Sequence, residues 1–252
     1  MYFKQADIFL YICHVVSKNK IKIYSSLGTK KGREKSCLFI AEGPKVVDDL
    51  LQAGFEAEDI FEDIEDIKKI SFLQHPQSKL GVFKLRQNHY SLNDVLGLFS
   101  TQKLSLALDG IQDPGNMGTI IRIADWFGIE NIYCSIDTVD CWSPKVVQAT
   151  MGSIARVNIY YINLPAFIDK VPNDCPIYTT LLTGCNIYNQ KLSQNGIIVM
   201  GNEGKGISEE LRQKVNKSLY IPNYSLKESS AESLNVAVAT AIICAEFRRN
   251  RN

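Results

Sequence analysis

From residue 37 onward, short apolar runs with strand character alternate with amphipathic helical stretches. CLFIA (37–41) is typical of a buried strand, and PKVVDDLLQAG (44–54) has the apolar spacing of a helix that ends at Gly54. Further strands are predicted at 79–85, 103–109, 131–135, 155–161, 176–182, 196–200 and 218–221, and a final helix at 232–249. Strands that alternate with helices predict a mostly parallel sheet covered on both faces.

A more polar stretch at 86–102, in which a short helix is predicted, divides this alternation into two parts. We therefore expect two α/β domains, an N-terminal one at 1–97 and a second one at 103–252. A chain of 252 residues is long enough for each part to have its own core.

Composition excludes several functional classes. The seven cysteines form no CxxC pair and the three histidines stand in no metal-ligand pattern, so we expect reduced thiols and no metal. The apolar run at 8–16 is nine residues long, which is too short to span a membrane, and no small-residue cleavage site follows it. We expect a cytoplasmic protein with no membrane partner, and we assign no function to residues 1–16.

Charge is distributed unevenly, although the net charge is only +1. Residues 18–35 contain seven Lys or Arg and one acidic residue, whereas 42–66 is strongly acidic. The basic run is either a solvated face or a patch that contacts nucleic-acid phosphates, and both interpretations stay open at this point. In the second case Lys30, Lys31 and Arg33 are the candidate RNA-binding residues.

Three loops at predicted strand ends contain unusual residues: DGIQDPGNMG (109–118), GNEGKGIS (201–208) and the stretch from IPNYS to ESLN (221–235). Ligands bind at the carboxyl ends of strands in open α/β sheets. GNEGKG does not fit the phosphate loop GxxxxGK[ST], and its two later glycines do not complete GxGxxG. An ATP-dependent enzyme is therefore not favoured.

Arg122 is the one cation in an almost entirely apolar helical stretch, IIRIADWF, that follows the first loop. If this helix begins near Met117, the side chains of Asn116 and Arg122 can face the same opening of a ligand site at the strand ends. We expect neighbouring residues to fix the orientation of the Arg122 guanidinium toward this opening, because its planar donors suit bidentate contact with phosphate. Ser233 and Asn235 stand at the start of the last helix, where Ser233 by itself would be an ordinary N-cap.

Taken together, LDGIQDPGNMGTIIRIADWFG, VMGNEGKGIS and IPNYSLKESSAESLNVAVATAI resemble the three motifs of the SpoU (TrmH-like) family of RNA ribose 2′-O-methyltransferases, in the SPOUT superfamily. The matching residues are Asn116, Gly118 and Arg122 in the first motif, Gly201, Asn202, Glu203 and Gly206 in the second, and Ile221, Pro222, Ser233, Leu234 and Asn235 in the third. SLGTKKGREKSCLFIAEGPKVVDDLLQAG (26–54) is similar to the small substrate-binding domain of many members. Two features depart from the pattern: the loop before ESLN is longer, and Ala237 stands where many members have serine.

The resemblance implies an α/β fold in which a C-terminal trefoil-knotted SPOUT domain with a mostly parallel sheet follows a small α/β substrate-binding domain. It implies methyl transfer from S-adenosylmethionine to a ribose 2′-hydroxyl of structured RNA by a homodimer. Ribosomal RNA is favoured over transfer RNA because of the N-terminal domain. The alternative is a non-catalytic RNA-binding protein that keeps the fold, against which the intact motif residues argue.

The resemblance also implies residue roles. The implied catalytic residues are Asn116, Arg122, Glu203, Ser233 and Asn235, and the implied cofactor-binding residues are Thr180, Leu181, Leu182, Met200, Gly201, Asn202, Ile221 and Leu234. Arg122 is also an RNA-binding candidate, and we expect it to hold a phosphate and stabilise the developing alkoxide, because an unperturbed guanidinium stays protonated. For the homodimer we expect Ala237, Ala241 and Ala245 to provide a small-residue face on the last helix.

Overall fold

The structure is a computed structural model and describes residues 16–86, 90–225 and 232–249, apart from the side chains of Leu182 and Thr183. Most of the apolar run at 8–16 lies outside these ranges. Contacts divide the chain into two units: the first is the chain up to Arg86 with Asp140–Ala155, and the second is Gln87–Val139 with Arg156 onward. Within the described ranges, no helix is long and apolar enough to cross a membrane. The domain limits 1–97 and 103–252 stay a prediction, because packing units are not a test of independent folding.

In chain order the elements are α1 Lys18–Ser26, α2 Lys30–Ser36, β1 Leu38–Glu42, α3 Pro44–Gln52, β2 Ala57–Phe61, α4 Ile64–Ile70, β3 Leu80–Lys84, α5 Leu92–Leu98, β4 Leu104–Asp109, α6 Pro114–Trp126, β5 Asn131–Cys134, α7 Pro144–Ala149, β6 Asn158–Tyr161, α8 Leu164–Ile168, β7 Ile177–Asn186, β8 Gly196–Gly201, α9 Glu209–Arg212, β9 Lys217–Tyr220 and α10 Val236–Arg248. The strands predicted from apolar runs are confirmed, with ends that differ by a few residues.

The first unit has a three-stranded antiparallel sheet in the order β1-β3-β2. Because a helix connects β1 to β2, these two strands run in the same direction, as their alternation with helices predicts. However, β3 lies between them and pairs antiparallel with both, so the expectation of parallel pairing is wrong for this unit. The periodicity of apolar residues predicts the strands but not their order in the sheet.

The segment Asp140–Ala155 follows β5 in sequence but packs within the first unit. Its Trp142 ring lies 4.6 Å from the ring of Phe39 in β1, measured between centroids. Its Asp140 carboxylate accepts a hydrogen bond from Nε of Arg33 at 3.0 Å, while Nη1 of Arg33 donates to the Leu27 carbonyl at 2.7 Å. Arg33 therefore joins two stretches of chain that are more than a hundred residues apart.

This position corrects the assignment of Arg33 as an RNA-binding residue. Arg33 is only 3% exposed, because it lies on the inner side of α2 and pairs with Asp140. Lys30 and Lys31 on the same helix are exposed and remain candidates.

The second unit has a six-stranded sheet in the order β6-β5-β4-β8-β7-β9, and every described pair in it is parallel. The mostly parallel sheet predicted for the C-terminal domain is confirmed. On one side its core contains Tyr133, Phe167, Ile197 and Val199. Pairing between β7 and β9 is irregular between Thr180 and Cys185 and resumes at Cys185, so β7 reaches Asn186, beyond the predicted strand at 176–182.

Helices α6 and α10 pack against each other and run parallel. At their N-terminal ends the side chain of Asn235 donates to that of Asn116, and at their C-terminal ends Nε of Arg248 donates to the Phe127 carbonyl at 3.0 Å. Both helices therefore begin at the same place, beside the carboxyl ends of β4 and β8.

Replacing Arg33 with alanine should lower the free energy of unfolding by about 3–5 kcal/mol, because it leaves the Asp140 carboxylate without its cation. Chemical denaturation measures this change. Lys35→Ala on the same helix is the matched control and should change stability by less than about 0.5 kcal/mol, because Lys35 is exposed. Equal stability of the two variants would contradict a structural role for Arg33.

Candidate functional site

The candidate site is built where β4 and β8 end at the same edge of the parallel sheet. Asp109 of β4 pairs with Gly201 of β8, so the loops that follow these strands lie side by side. The loop after β4 is held through Gly110: its N–H donates to Ser135 Oγ at 2.8 Å, and its carbonyl accepts from Asn202 Nδ2 at 2.7 Å. The first two motif loops are thus fixed to each other.

The loop after β8 is a tight turn closed by Asn202. The backbones of Asn202 and Gly206 donate to each other's carbonyls at 2.9 Å, and Asn202 Oδ1 accepts from the N–H groups of Gly204 and Lys205. A Cβ atom at Gly201 would lie 2.4 Å from the carbonyl carbon of Gly206, so this close approach requires glycine. The turn uses its N–H groups internally, in agreement with the exclusion of a nucleotide phosphate loop.

Helix α6 begins at Pro114, three residues before the expected start near Met117. Asp113 is its N-cap and accepts from the N–H of Asn116 at 2.8 Å. Proline at the first helical position supports this start, because its φ suits the helix and its missing N–H would have no intrahelical partner. Asn116 therefore lies in the first turn of the helix.

A row of hydrogen bonds connects the three motif loops. Asn116 Nδ2 donates to Glu203 Oε1 at 3.0 Å, and Asn116 Oδ1 accepts from Asn235 Nδ2 at 2.8 Å. Asn235 Oδ1 in turn accepts from the N–H groups of Ala237 and Val238 at the start of α10. The N-cap of α10 is therefore Asn235 and not Ser233. Three residues predicted to be catalytic lie together in one row.

Glu203 is held as a hydrogen-bond acceptor. Burial alone would raise the pKa of its carboxyl group, but the hydrogen bonds from Asn116 and from the backbone of Glu203, Asp113 and Gln112 outweigh burial and lower the pKa below its usual value. At neutral pH Glu203 is thus a carboxylate without a proton to donate. It fixes the Asn116 amide and is not positioned as a general acid.

Beside this row lies a cavity of about 570 Å³. Its lining residues are Gln112, Asp113, Asn116, Asn202, Glu203, Ser233, Leu234, Asn235 and Val236. Leu234 is 50% exposed, which is unusual for a leucine beside polar side chains and is typical of a surface that a ligand covers. Ser233 is exposed at the same cavity. Of the lining residues, Gln112, Asp113 and Val236 were not among the predicted site residues; only Asp113 had a local signal, an aspartate before proline.

Arg122 does not line this cavity, so the prediction that it faces the same opening as Asn116 is wrong for a single chain. Six residues along an α-helix correspond to a rotation that leaves the two side chains about 120° apart. Arg122 is exposed and makes no hydrogen bond or ion pair with any residue that the structure describes, so the expectation that it is held is not met within one chain.

The predicted cofactor-binding residues lie in the middle of β7, just past the point where its pairing with β8 stops at Thr179, and at or just after the ends of β8 and β9. Thr180 Oγ1 is 4.0 Å from Met200 Sδ, and Met200 is buried, so Met200 can offer a ligand its backbone only. Leu181 and Ile221 are half-buried. The side chain of Leu182 lies outside the described residues. Backbone groups in the middle of β7 and at the ends of β8 and β9, with partly exposed apolar side chains, fit an adenosyl and methionyl ligand. The assignment of these residues stays a prediction.

Comparison with known proteins gives the family. Residues 103–245, more than half of the chain, match the model of the SpoU rRNA methylase family. The chain belongs to this family. Residues 18–74 match a second model, the MRM3-like substrate binding domain. The trefoil knot is expected for the SpoU fold.

Similar proteins cover nearly the whole of this SpoU-family chain. It is 29% identical over 245 residues to the 23S rRNA (guanosine(2553)-2′-O)-methyltransferase RlmP of Bacillus subtilis, covering 91% of this chain and 96% of that protein. A structure from Porphyromonas gingivalis assigned to the TrmH family of RNA methyltransferases has a TM-score of 0.83 and 35% identity, and covers 95% of this chain and 100% of that one. An AdoMet-bound rRNA methyltransferase from Sinorhizobium meliloti has a TM-score of 0.82 and 30% identity, with coverage of 93% and 97%.

In this SpoU-family site, replacing Asn235 with aspartate should separate helix capping from the hydrogen-bond row. Aspartate still caps α10 but cannot donate to Asn116, so we expect a thermal midpoint close to wild type and a loss of methyl transfer. A thermal melt and single-turnover methylation on the same preparation measure both properties. Asn235→Ala is the comparison variant and should lose stability as well, by about 1 kcal/mol. Normal turnover by the aspartate variant would remove the Asn235–Asn116 bond from the mechanism.

Proposed function

We propose that this protein transfers a methyl group from S-adenosylmethionine to a ribose 2′-hydroxyl of ribosomal RNA. The observation that carries the proposal is the Glu203–Asn116–Asn235 row, which closes a cavity at the carboxyl edge of the parallel sheet. The family and the printed names of the similar proteins support the reaction and favour ribosomal over transfer RNA.

The cofactor supplies an electrophilic methyl group on its sulfonium. It would be held by residues of β7, of the ends of β8 and β9 and of the segment before α10: Thr180, Leu181, Leu182, the backbone of Met200, Gly201, Asn202, Ile221 and Leu234. The absence of a Cβ atom at Gly201 lets the backbone of Gly206 and Ile207 pass close to it, which keeps the turn after β8 compact.

The chain's own residues would position the ribose. Ser233 presents an exposed hydroxyl at the cavity, and Asn116 presents an amide whose orientation Glu203 and Asn235 fix. None of the three histidines lies in 103–252, so a histidine base is not part of the proposal. Such positioning lowers the barrier, because the nucleophile approaches the methyl group already oriented.

Arg122 would act on the RNA phosphate and on the developing alkoxide. A guanidinium that has no partner among the described residues can bind a phosphate through two parallel hydrogen bonds. Since Arg122 points away from the cavity of its own chain, we propose that it serves a site completed by a second copy of the chain.

The open faces of α6 and α10 support a homodimer. Thr119, Arg122 and Trp126 are exposed on α6, and Val238 and Ala245 are exposed on the neighbouring α10. Trp126 is 84% exposed, and a single chain rarely leaves an indole so uncovered.

The alanine face predicted for the homodimer is only partly available. Ala237 is buried within the chain and Ala241 is half-buried, whereas Ala245 is exposed. The interface that we propose therefore uses the exposed positions of both helices rather than the three alanines alone.

We propose that the N-terminal domain, residues 1–97, binds the RNA substrate through the exposed Lys30 and Lys31. The match of residues 18–74 to the MRM3-like substrate binding domain supports this role. None of the described cysteines is in a disulfide bond, as suits a reducing cytoplasm, which we propose as the location.

Mass-spectrometric mapping of 2′-O-methyl nucleotides in RNA from cells with and without the gene tests the proposed function. One ribosomal nucleotide should lose its methyl group when the gene is removed, and the purified protein should restore it with S-adenosylmethionine. Unchanged ribosomal and transfer RNA, together with no cofactor binding in calorimetry, would favour the non-catalytic RNA-binding alternative.

Replacing Arg122 with alanine should reduce methyl transfer by about a hundredfold to a thousandfold, as expected for a lost transition-state contact. Cofactor affinity should stay close to wild type, because Arg122 does not line the cavity. Arg122→Lys should recover little methyl-transfer activity, because an ammonium group does not reproduce the two parallel donors of a planar guanidinium. Single-turnover methylation and calorimetry measure the two properties, and near-normal methylation by the alanine variant would exclude Arg122 from the mechanism.

Replacing Trp126 with glutamate should convert a dimer into a monomer at micromolar concentration, because the interface would lose its indole and would have to bury a carboxylate that competes for the Arg122 guanidinium. Sedimentation measures the mass of each species. Tyr224→Glu is the matched control: Tyr224 is 77% exposed but lies on neither helix, so its replacement should leave the dimer intact. A monomeric wild-type protein would contradict the proposal directly.

A further inference from the structure

In the first unit, Phe72 keeps an aromatic ring at the surface next to the basic stretch. It follows α4 directly and is 40% exposed. Its ring lies against Gly28, two residues before Lys30 in sequence, and Lys30 and Lys31 begin α2 with exposed side chains. The ring therefore lies beside the backbone that leads into α2, where both lysines are exposed.

The backbone beside this ring is fixed from inside the unit. Glu42 at the end of β1 is buried, and its carboxyl group accepts from the N–H of Phe72 at 2.8 Å and from the hydroxyl of Ser71. The Ser71 hydroxyl also accepts from the N–H of Leu73 at 3.1 Å. Three consecutive residues are thus held, and the position of Phe72 does not depend on burial of its own ring.

Gly28 leaves room for the ring. A Cβ atom at Gly28 would lie 2.7 Å from Cε1 of Phe72, which is closer than two carbon atoms can approach. The φ angle of Gly28 is not among the positive ones, so the missing side chain serves this contact and not an unusual backbone conformation.

An exposed ring beside unpaired cations suits one kind of ligand. Unpaired nucleotides bind by stacking a base on an aromatic ring while lysines contact the adjacent phosphates. Lys30 and Lys31 make no ion pair with any residue in the described ranges, so both are available for phosphate. A double helix keeps its bases stacked inside and cannot use the ring in this way.

We infer that Phe72, packed on Gly28, is a stacking platform for an unpaired base of the RNA substrate, and that Lys30 and Lys31 hold the phosphates next to that base. The inference rests on the proposed function, since it concerns how that RNA is recognised. It predicts that the protein selects a single-stranded or looped segment near the nucleotide that it modifies.

The test is a fluorescence-anisotropy titration of the full-length protein with a labelled single-stranded RNA of about 12 nucleotides, and with the corresponding duplex. Phe72→Ala and Phe72→Leu should each weaken binding of the single strand about tenfold, the effect of losing one stacked base. Phe72→Tyr should bind like wild type because it keeps the ring. Gly28→Ala should also weaken binding, because its methyl group displaces the ring. Duplex affinity should change little in all four variants.

Two controls separate recognition from folding and from charge. Leu51→Ala removes an apolar side chain of the same unit with the same 40% exposure, and it should bind like wild type with an unchanged melt. The double variant Lys30→Ala, Lys31→Ala should weaken binding of both RNAs. For the single strand, the slope of log affinity against log salt concentration should become shallower by about 0.7 for each lost phosphate contact. A thermal melt of Phe72→Leu should match wild type, because leucine still covers Gly28.

Wild-type affinity for the single strand in Phe72→Leu and Phe72→Ala would overturn the stacking platform. An equal loss of affinity in Leu51→Ala would also overturn it. The same holds if affinity falls only in variants whose melting temperature is lowered. The titration does not involve methyl transfer. A wild-type protein that methylates ribosomal RNA while Phe72→Leu binds normally would refute the platform alone. A wild-type protein that is inactive on ribosomal RNA but shows the Phe72 effect would refute the ribosomal substrate alone.

Discussion

The geometry of the candidate site depends on the amide of Asn116, which has a donor at one end and an acceptor at the other. Glu203 is a carboxylate whose lowered pKa keeps it an acceptor, so the nitrogen of Asn116 must face it. The oxygen of Asn116 must then accept, which makes the nitrogen of Asn235 face it and leaves the oxygen of Asn235 for the first N–H groups of α10. One carboxylate therefore sets the direction of every hydrogen bond in the row.

The sequence identifies these residues better than it places them. Apolar runs predict the strands because burial requires continuous apolar surface, and the three motifs bring Asn116, Glu203 and Asn235 to one edge because parallel strands end together. The direction in which a side chain points is harder to predict. The start of α6 at Pro114 instead of near Met117 places Asn116 within the helix, so the six-residue spacing to Arg122 corresponds to a rotation that leaves their side chains about 120° apart. Likewise, no local pattern distinguishes the buried Arg33 from the exposed lysines beside it, since its partner Asp140 is more than a hundred residues away.

The parallel pair α6 and α10 connects the site to the surface that we propose for the dimer. Their first turns hold Asn116 and Asn235 at the cavity, and their outer faces carry Arg122, Trp126 and Val238. A second chain on those faces would cover apolar area and would desolvate Arg122, which strengthens its contact with a phosphate. Assembly and chemistry would then depend on the same two helices.

The first unit shows the same principle at a different site, because a buried polar group holds a side chain that remains at the surface. Burying the carboxyl group of Glu42 costs free energy unless hydrogen bonds satisfy it, and those bonds come from Ser71 and from the N–H of Phe72. An apolar residue at position 42 would fill the core without this cost but would release the backbone at 71–72. In the catalytic unit Glu203 fixes an amide, and here Glu42 fixes the backbone beside an aromatic ring. In both units a carboxyl group positions a neighbouring group that we propose to contact RNA.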